Sequence, residues 1–182
     1  MNPTDDVLME RWQKGDEQAF HDLYDRYLPL VVRYIMTLCG NWEEAKDLAQ
    51  ETFMRVCERK ESFQSRSRFK SWLLTIARNK VIDATRKRSV KTVVSEELLA
   101  RAPAPEEGFP CETTLDTEQM PGFKALTAGQ REVVLLRFVE DLSFPEIAAV
   151  TSMREDNIRK ILSRALQRLR KEWQTHDVRT AE

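Results

Sequence analysis

Apolar side chains recur at helical spacing in both halves of the chain. Near the start, Leu8 and Trp12 stand four residues apart and predict a short helix over 5–14. Asp16 is placed to cap a longer helix. Its apolar stripe falls at i, i+3, i+4 and i+7, namely Phe20, Leu23, Tyr24 and Tyr27. Gly40 is the natural end of this helix. No segment has the alternation of a β-strand, so the pattern predicts an all-α chain.

A third helix begins at a capping-box pattern formed by Asn41 and Glu44. Its apolar positions form one stripe, which consists of Ala45, Leu48, Ala49, Thr52, Phe53 and Val56. The other face is mostly acidic or polar and carries Glu43, Asp47, Gln50, Glu51 and Met54. The pattern therefore predicts a helix that buries one side and leaves a mostly acidic and polar side exposed.

A polar loop over 62–67 leads to a fourth predicted helix, about 68–88. Its inward positions are Phe69, Trp72, Leu73, Ile76, Ala77 and Val81. The helix ends in the basic triplet Arg86-Lys87-Arg88. Aromatic residues at helical spacing usually belong to the core, so this stripe predicts packing against the earlier helices.

Helical patterning returns at Leu126. Two more capping boxes, Thr127 with Gln130 and Ser143 with Glu146, predict two short helices, the first of them apolar through Phe138. After a turn at 151–153, a long helix over about 154–173 has an inward stripe of Ile158, Ile161, Leu162, Ala165, Leu166 and Leu169. A short helix, a tight turn and a longer helix with a basic outer face together predict a helix-turn-helix.

The stretch between these two helical regions has a different composition. Residues 89–122 lack sustained periodicity and contain Pro103, Pro105, Pro110 and Pro121. From Thr92 to Gly122 there are seven acids and one basic residue. This composition predicts a flexible acidic linker. The predicted organisation is a domain over 1–91, a linker over 92–122 and a second domain over 123–182.

The charge pattern adds two candidate polyanion-binding surfaces. The formal net charge is only −1, yet nine basic residues and one acid lie between Arg66 and Lys91. Seven basic residues and two acids lie between Arg154 and Lys171. By contrast, Met1 to Ser62 holds thirteen acids and eight basic residues. Two separate basic segments favour two binding surfaces over a uniformly basic coat.

The remaining composition argues against several classes of protein. Cys39, Cys57 and Cys111 are far apart, and the two histidines have no clustered partner, so neither a disulfide framework nor a metal site is expected. Cys39 and Cys57 lie on apolar helix faces, where cysteine usually behaves as a small hydrophobe. No cofactor or bound small molecule is expected. No apolar run approaches the roughly 20 residues that span a bilayer, and the acidic start does not resemble a secretory signal. We therefore expect a cytoplasmic protein without membrane insertion.

The two basic segments suit different forms of nucleic acid. A helix with a basic and polar outer face fits the major groove of a duplex and reads base edges there. The outward candidates are Arg154, Asn157, Arg159, Lys160 and Arg164. The earlier segment interleaves aromatic and basic residues, a combination that binds single strands by stacking and charge. Its candidates are Phe63, Phe69 and Trp72 with Arg66, Arg68, Lys70, Arg78, Asn79, Lys80, Asp83 and the triplet 86–88.

Three motifs in order resemble the extracytoplasmic-function group of bacterial sigma factors. Residues 42–53, WEEAKDLAQETF, are similar to the second conserved region of that family. Residues 69–86 resemble the signature that follows it, with FKSWLLTIARN, then Ile82-Asp83 and Arg86. The fourth conserved region is resembled by residues 126–133, 142–148 and 158–169. The likeness covers nearly all of the chain outside 92–122.

The resemblance implies two small helical domains and a role in promoter-specific initiation of transcription, without catalysis by the chain itself. It implies docking on the β′ clamp helices and the β flap of core RNA polymerase, contact with promoter DNA, and inhibition by an anti-sigma factor. The implied docking residues on the clamp helices are Asp47, Gln50, Glu51, Phe53 and Met54. The residues implied to melt and read the −10 element are Phe63, Arg66, Ser67, Arg68, Trp72, Arg78, Asn79, Asp83 and Arg86. Those implied to read the −35 element as duplex are Arg154, Asn157, Arg159, Lys160 and Arg164.

Two positions depart from the family's pattern. The turn of the helix-turn-helix usually carries glycine, and this chain has Ser152. The recognition helix usually opens with small neutral residues, and here it opens with Arg154-Glu155-Asp156-Asn157. Acids at this end favour the helix dipole but repel phosphate.

Two other functions are open on the sequence. A stand-alone helix-turn-helix regulator explains the second half equally well, but not the acidic helix followed by the aromatic and basic one. An enzyme acting on nucleic acid would need a paired His, a metal-ligand cluster, a phosphate-binding glycine loop or a Ser/His/Asp set. None of these stands out in the sequence.

Overall fold

The computed structural model describes residues 3–64, 68–92 and 122–180. Helices and the turns between them make up these ranges, which contain no strand, so the all-α prediction is confirmed. The chain divides into two compact units between Glu107 and Gly108. Positions 93–121 of the predicted linker lie outside the described residues.

The first unit is built on α1 (Asp5–Gln13), α2 (Glu17–Cys39), α3 (Trp42–Glu58) and α4 (Phe69–Thr92). A short 3-10 turn, Lys60–Ser62, follows α3. The long α2 packs against the other three helices, and α3 also packs against α4. The core of the first unit is apolar. Its fully buried side chains include Leu8, Leu23, Tyr34, Ile35, Phe69 and Leu73. Burial of these side chains is the main force that holds the four helices together.

Local sequence explains where these helices begin and end. The Asp16 carboxylate accepts hydrogen bonds from the backbone N–H groups of Gln18 and Ala19, and Gly40 ends α2 with φ of 70°. The Asn41 side chain accepts from the backbone N–H of Glu44 and caps α3. The second half of this predicted capping box is wrong, because the Glu44 carboxylate instead accepts a hydrogen bond from Arg88 of α4.

The inward stripe of α3 is confirmed, since all six of its predicted residues are buried. The cysteine prediction is wrong for Cys57, which is exposed, while Cys39 is half-buried. Cys57 lies one position beyond Val56, at the edge of the buried stripe. Partial burial raises the pKa of both thiols above the ordinary value, which makes them less reactive at neutral pH.

The second unit contains a 3-10 turn (Phe123–Ala125), α5 (Ala128–Val134), a π-helical turn (Leu135–Val139), α6 (Phe144–Thr151) and α7 (Glu155–Thr180). Both predicted capping boxes, at Thr127 and at Ser143, are confirmed. The long α7 packs against α5 and α6. The buried side chains between them include Val133, Leu135, Leu136, Ile147, Ile158 and Ala165.

Two details of this unit differ from the sequence pattern, although the predicted helix does run through Phe138. The apolar helix expected to run through Phe138 changes to π geometry at Leu135, and the Phe138 side chain is 58% exposed. A π turn adds a residue to one helical turn, so it changes the angular position of the side chains that follow. Leu166, expected to point inward, is 41% exposed, while the neighbouring Ala165 is buried. The last helix of each unit is also longer than predicted: α4 of the first unit and α7 of the second unit both continue beyond their predicted ends.

Candidate surfaces for a protein partner and for nucleic acid

One face of α3 carries four of the five residues predicted to dock on a protein partner. Asp47, Gln50, Glu51 and Met54 stand at i, i+3, i+4 and i+7, which places them on one side of the helix. All four are exposed, and the Met54 side chain is 65% exposed. We call these four residues the α3 face. An exposed methionine among acids is a common feature of protein-binding surfaces.

The fifth predicted docking residue, Phe53, does not share this face. Its side chain is 3% exposed, and its ring centroid lies 4.7 Å from that of Tyr24 on α2. Phe53 therefore supports α3 from the core and shapes the α3 face only indirectly.

Ion pairs join α3 to the basic helix α4. Lys80 Nζ lies 3.1 Å from Glu51 Oε2, and the guanidinium of Arg88 pairs with the Glu44 carboxylate. Both pairs connect residues far apart in the sequence. The α3 face and the basic side of α4 consequently form one continuous surface of mixed charge.

A groove of about 370 Å³ runs between α3 and α4. It brings together three residues predicted to contact the −10 element, Asn79, Asp83 and Arg86, all of which are exposed. The other residues that line it are Arg55, Arg59, Ile76, Lys80 and Ile82. Another predicted residue of this helix, Arg78, is half-buried. The groove therefore offers cations, an amide and one carboxylate above a partly apolar wall.

The aromatic residues predicted to receive an unstacked base form a cluster instead. Phe63 and Phe69 are buried and Trp72 is half-buried. The Phe63 ring centroid lies 5.3 Å from that of Trp72 and 5.9 Å from that of Phe69. Gln13 of α1 donates to the Phe63 carbonyl over 3.3 Å. The cluster therefore anchors the segment before α4 to the body of the unit.

Two predicted residues of that segment, Arg66 and Ser67, lie outside the described residues. Arg68 is described and exposed, directly before α4. In the sequence, Arg68 directly precedes Phe69 of the aromatic cluster. Phe69 begins α4, the helix that also carries Arg78 and Asn79.

In the second unit, α6 and α7 form the predicted helix-turn-helix. The turn passes through Ser152, whose φ of 57° and ψ of 26° are left-handed. This conformation favours glycine, because a side chain crowds the backbone there. The turn therefore has the backbone conformation that glycine adopts most readily, although its residue is Ser152.

The first half of α7, together with Arg154 directly before it, displays the five residues predicted to read duplex DNA. Arg154, Asn157, Arg159, Lys160 and Arg164 are exposed, and the Arg154 side chain is 90% exposed. Two acids stand among them: Glu155 Oε2 lies 3.4 Å from an Arg159 nitrogen, and Asp156 lies 4.0 Å from Arg154. The surface is basic, with a local acidic component at the helix start.

The sequence did not single out Phe144 or Arg137, which contact this surface. The guanidinium carbon of Arg159 lies 4.1 Å from the Phe144 ring centroid, and that of Arg137 lies 5.5 Å from it. The sequence did offer one signal for this contact. Phe144 is an aromatic residue directly after the cap Ser143, at the first position of α6.

Two classes of site can be tested on the described ranges. Nowhere in 3–64, 68–92 or 122–180 do three His, Cys, Asp or Glu residues form a group that could hold a metal ion. Among the helices that the structure describes, none is long and apolar enough to cross a membrane.

Comparison with known proteins places this architecture in a family. Residues 23–90 match the family described as Sigma-70 region 2, and residues 123–169 match Sigma-70, region 4. Two relatives are the extracytoplasmic-function RNA polymerase sigma factor BldN of Streptomyces coelicolor and the RNA polymerase sigma factor CarQ of Myxococcus xanthus. BldN is 35% identical over 89% of this chain and 63% of its own length. CarQ is 33% identical over 89% of this chain and 93% of its own length.

A solved structure agrees with these matches. The sigma factor RpoE of Bartonella quintana, determined in complex with the anti-sigma factor NepR, has a TM-score of 0.70 and 27% sequence identity. The match covers 85% of this chain and 96% of RpoE. A stand-alone regulator would not account for the first-unit match, so that alternative is not favoured. The chain belongs to the extracytoplasmic-function sigma factors of RNA polymerase.

Proposed function

We propose that the chain docks on core RNA polymerase through the α3 face and reads a promoter with α4 and α7. The first domain, 1–91, would hold the polymerase and the −10 element. The second domain, 123–182, would hold the −35 element, and 92–122 would span the distance between them. The observation that carries this proposal is the position of the acidic, exposed α3 face beside the basic helix α4.

The chemistry of the α3 face supports protein docking. Its acids, Asp47 and Glu51, repel phosphate, so this side of α3 is a poor surface for DNA. The exposed Met54 adds apolar area that a protein partner can bury. We propose the β′ clamp helices as this partner, with Phe53 acting from the core to hold the face in shape.

The groove between α3 and α4 supports contact with the −10 element. Arg86 can hold phosphate, while Asn79 and Asp83 can pair with an exposed base edge. We propose that Arg78 and the segment Arg66-Ser67-Arg68 complete this site. Phe63 and Trp72 then contribute chiefly by anchoring the segment that leads into α4.

The exposed cations of the first half of α7 support duplex reading at the −35 element. Arginine pairs with guanine and asparagine with adenine, and each good bidentate contact discriminates by roughly 1–3 kcal/mol. Arg154, Asn157, Arg159, Lys160 and Arg164 are the proposed contacts. The remaining cations of the helix would hold phosphate and set the register.

The partners of the relatives suggest how the chain is controlled. RpoE was solved with the anti-sigma factor NepR. We propose that an anti-sigma factor also binds this chain, and that the β flap of the polymerase contacts the second unit. We further propose a cytoplasmic location and the absence of any catalytic chemistry in the chain itself.

In vitro transcription tests the proposed function. Core RNA polymerase of the source organism is incubated with a pool of its genomic promoters, with and without the chain. New discrete start sites that need the chain are expected. A folded chain that yields no new starts but binds duplex operators alone would instead support a stand-alone regulator.

A further inference from the structure

The Phe144 ring lies where the two helices of the helix-turn-helix meet. It is the first residue of α6, it is half-buried, and it follows the cap Ser143. Arg159 and Arg137 place guanidinium carbons 4.1 Å and 5.5 Å from the ring centroid. Cations within about 6 Å of a ring centroid are attracted by the negative face of the π-system.

The two arginines differ in what else holds them. Arg137 Nη1 donates to the Leu142 carbonyl over 2.9 Å, so its side chain is tied to the loop before α6. Arg159 belongs to the exposed half of α7, and its side chain is 56% exposed. Its polar contact is the carboxylate of Glu155, one turn earlier on the same helix.

The two contacts of Arg159 have opposite consequences for DNA binding. The Glu155 carboxylate accepts a hydrogen bond from one N–H group of Arg159. It also adds negative charge where phosphate or a base edge would approach. An aromatic face engages the flat side of a guanidinium and leaves the N–H groups at its edge available. The Phe144 ring can therefore restrict the Arg159 side chain without using its donors.

We propose that Phe144 is a positioning residue for recognition of the −35 element, which it serves by holding Arg159 in a DNA-facing orientation. This inference rests on the proposed role of α7. Phe144 itself needs no contact with the promoter. A side chain already held in its bound orientation loses less entropy when it binds, and the affinity rises accordingly.

The test uses the complete chain assembled with core RNA polymerase and a promoter found by the start-site mapping above. Binding is measured on this promoter and on a copy with a scrambled −35 element. We expect Phe144→Leu to weaken binding to the intact promoter about two- to fivefold, the size of an exposed cation–π contact. Phe144→Tyr keeps the ring and is expected to bind like the original chain.

A double-mutant cycle with Arg159→Ala separates positioning from packing. If Phe144 acts through Arg159, Phe144→Leu has little further effect in the Arg159→Ala background and on the scrambled promoter. Phe144→Met provides a second ring-free variant should the leucine variant fail to fold. An undiminished loss in the Arg159→Ala background would overturn the proposal, as would ring-free variants that bind normally. The absence of any chain-dependent start site would instead contradict the proposed function itself.

Discussion

The basic helices of the two units use their charges differently. On α4, Lys80 and Arg88 are paired with Glu51 and Glu44 of the neighbouring α3. On α7, the cations extend from the first half of the helix, and their acidic neighbours belong to α7 itself. The charge of α4 is thus coupled to a second helix, whereas that of α7 is balanced locally.

For the proposed function, this difference predicts two modes of binding. Exposed ion pairs contribute only about 0–1 kcal/mol each, so Lys80 can exchange Glu51 for a phosphate at little cost. On the mixed surface of α3 and α4, a protein partner and a nucleic acid can therefore bind side by side. On α7, whose paired acids belong to the same helix, the proposed duplex binding should weaken steeply with salt.

The largest expected effect tests the α3 face. Asp47→Arg reverses a charge in the middle of this face, and we expect the affinity for core polymerase to fall by at least about tenfold. Pull-down or fluorescence titration with core polymerase measures it. Asp25→Arg makes the same change at an exposed position of α2 and is expected to bind normally. Equal binding by all three proteins would exclude Asp47 from the interface.

The next effect concerns α4. The pair Arg78→Ala and Asn79→Ala removes a cation and an amide from the proposed −10 surface, and open-complex formation should fall about tenfold, or roughly 1–2 kcal/mol. Polymerase affinity should change little, because both residues lie off the α3 face. Permanganate footprinting measures strand opening, with Lys14→Ala, directly after α1, as the control. An equal loss of polymerase affinity would contradict the assignment of polymerase docking to α3 and of the −10 element to α4.

A smaller effect concerns the turn before α7. Ser152 has a left-handed backbone, which costs a residue with a side chain about 1 kcal/mol relative to glycine. Ser152→Gly should therefore be about 1 kcal/mol more stable than Ser152→Ala. Hydrogen exchange of the α6 and α7 amides in the complete chain reports this local stability. Equal protection of the two variants would show that the turn carries no such strain.

The smallest effect tests local charge balance on α7. Glu155→Gln removes the carboxylate beside Arg159, and we expect promoter binding to strengthen about twofold because repulsion of phosphate is reduced. The same change costs up to about 1 kcal/mol of helix-dipole stabilisation. Glu172→Gln, on the same helix but outside its first half, is the control. An identical gain in both variants would indicate an effect of net charge alone.

Much of the fold was predictable because it depends on short-range pattern. The six buried residues of α3 and the capping boxes at Thr127 and Ser143 follow from helical periodicity and from contacts between residues three apart. The helix-turn-helix was predictable for the same reason. The candidate site was only partly predictable: the side of α3 with Asp47 and Glu51 was evident, but the role of Phe53 was not.

The sequence by itself determined the helices, their caps, the two basic segments and the resemblance to sigma factors, since all of these are properties of neighbouring residues. Only the tertiary structure decided that Phe63, which lies outside the helical stripes, joins the core, and which cations find acids on another helix. It buried Phe63, paired Glu51 with Lys80, and placed Arg159 over Phe144. These outcomes depend on distances between residues on different helices, which helical periodicity does not specify.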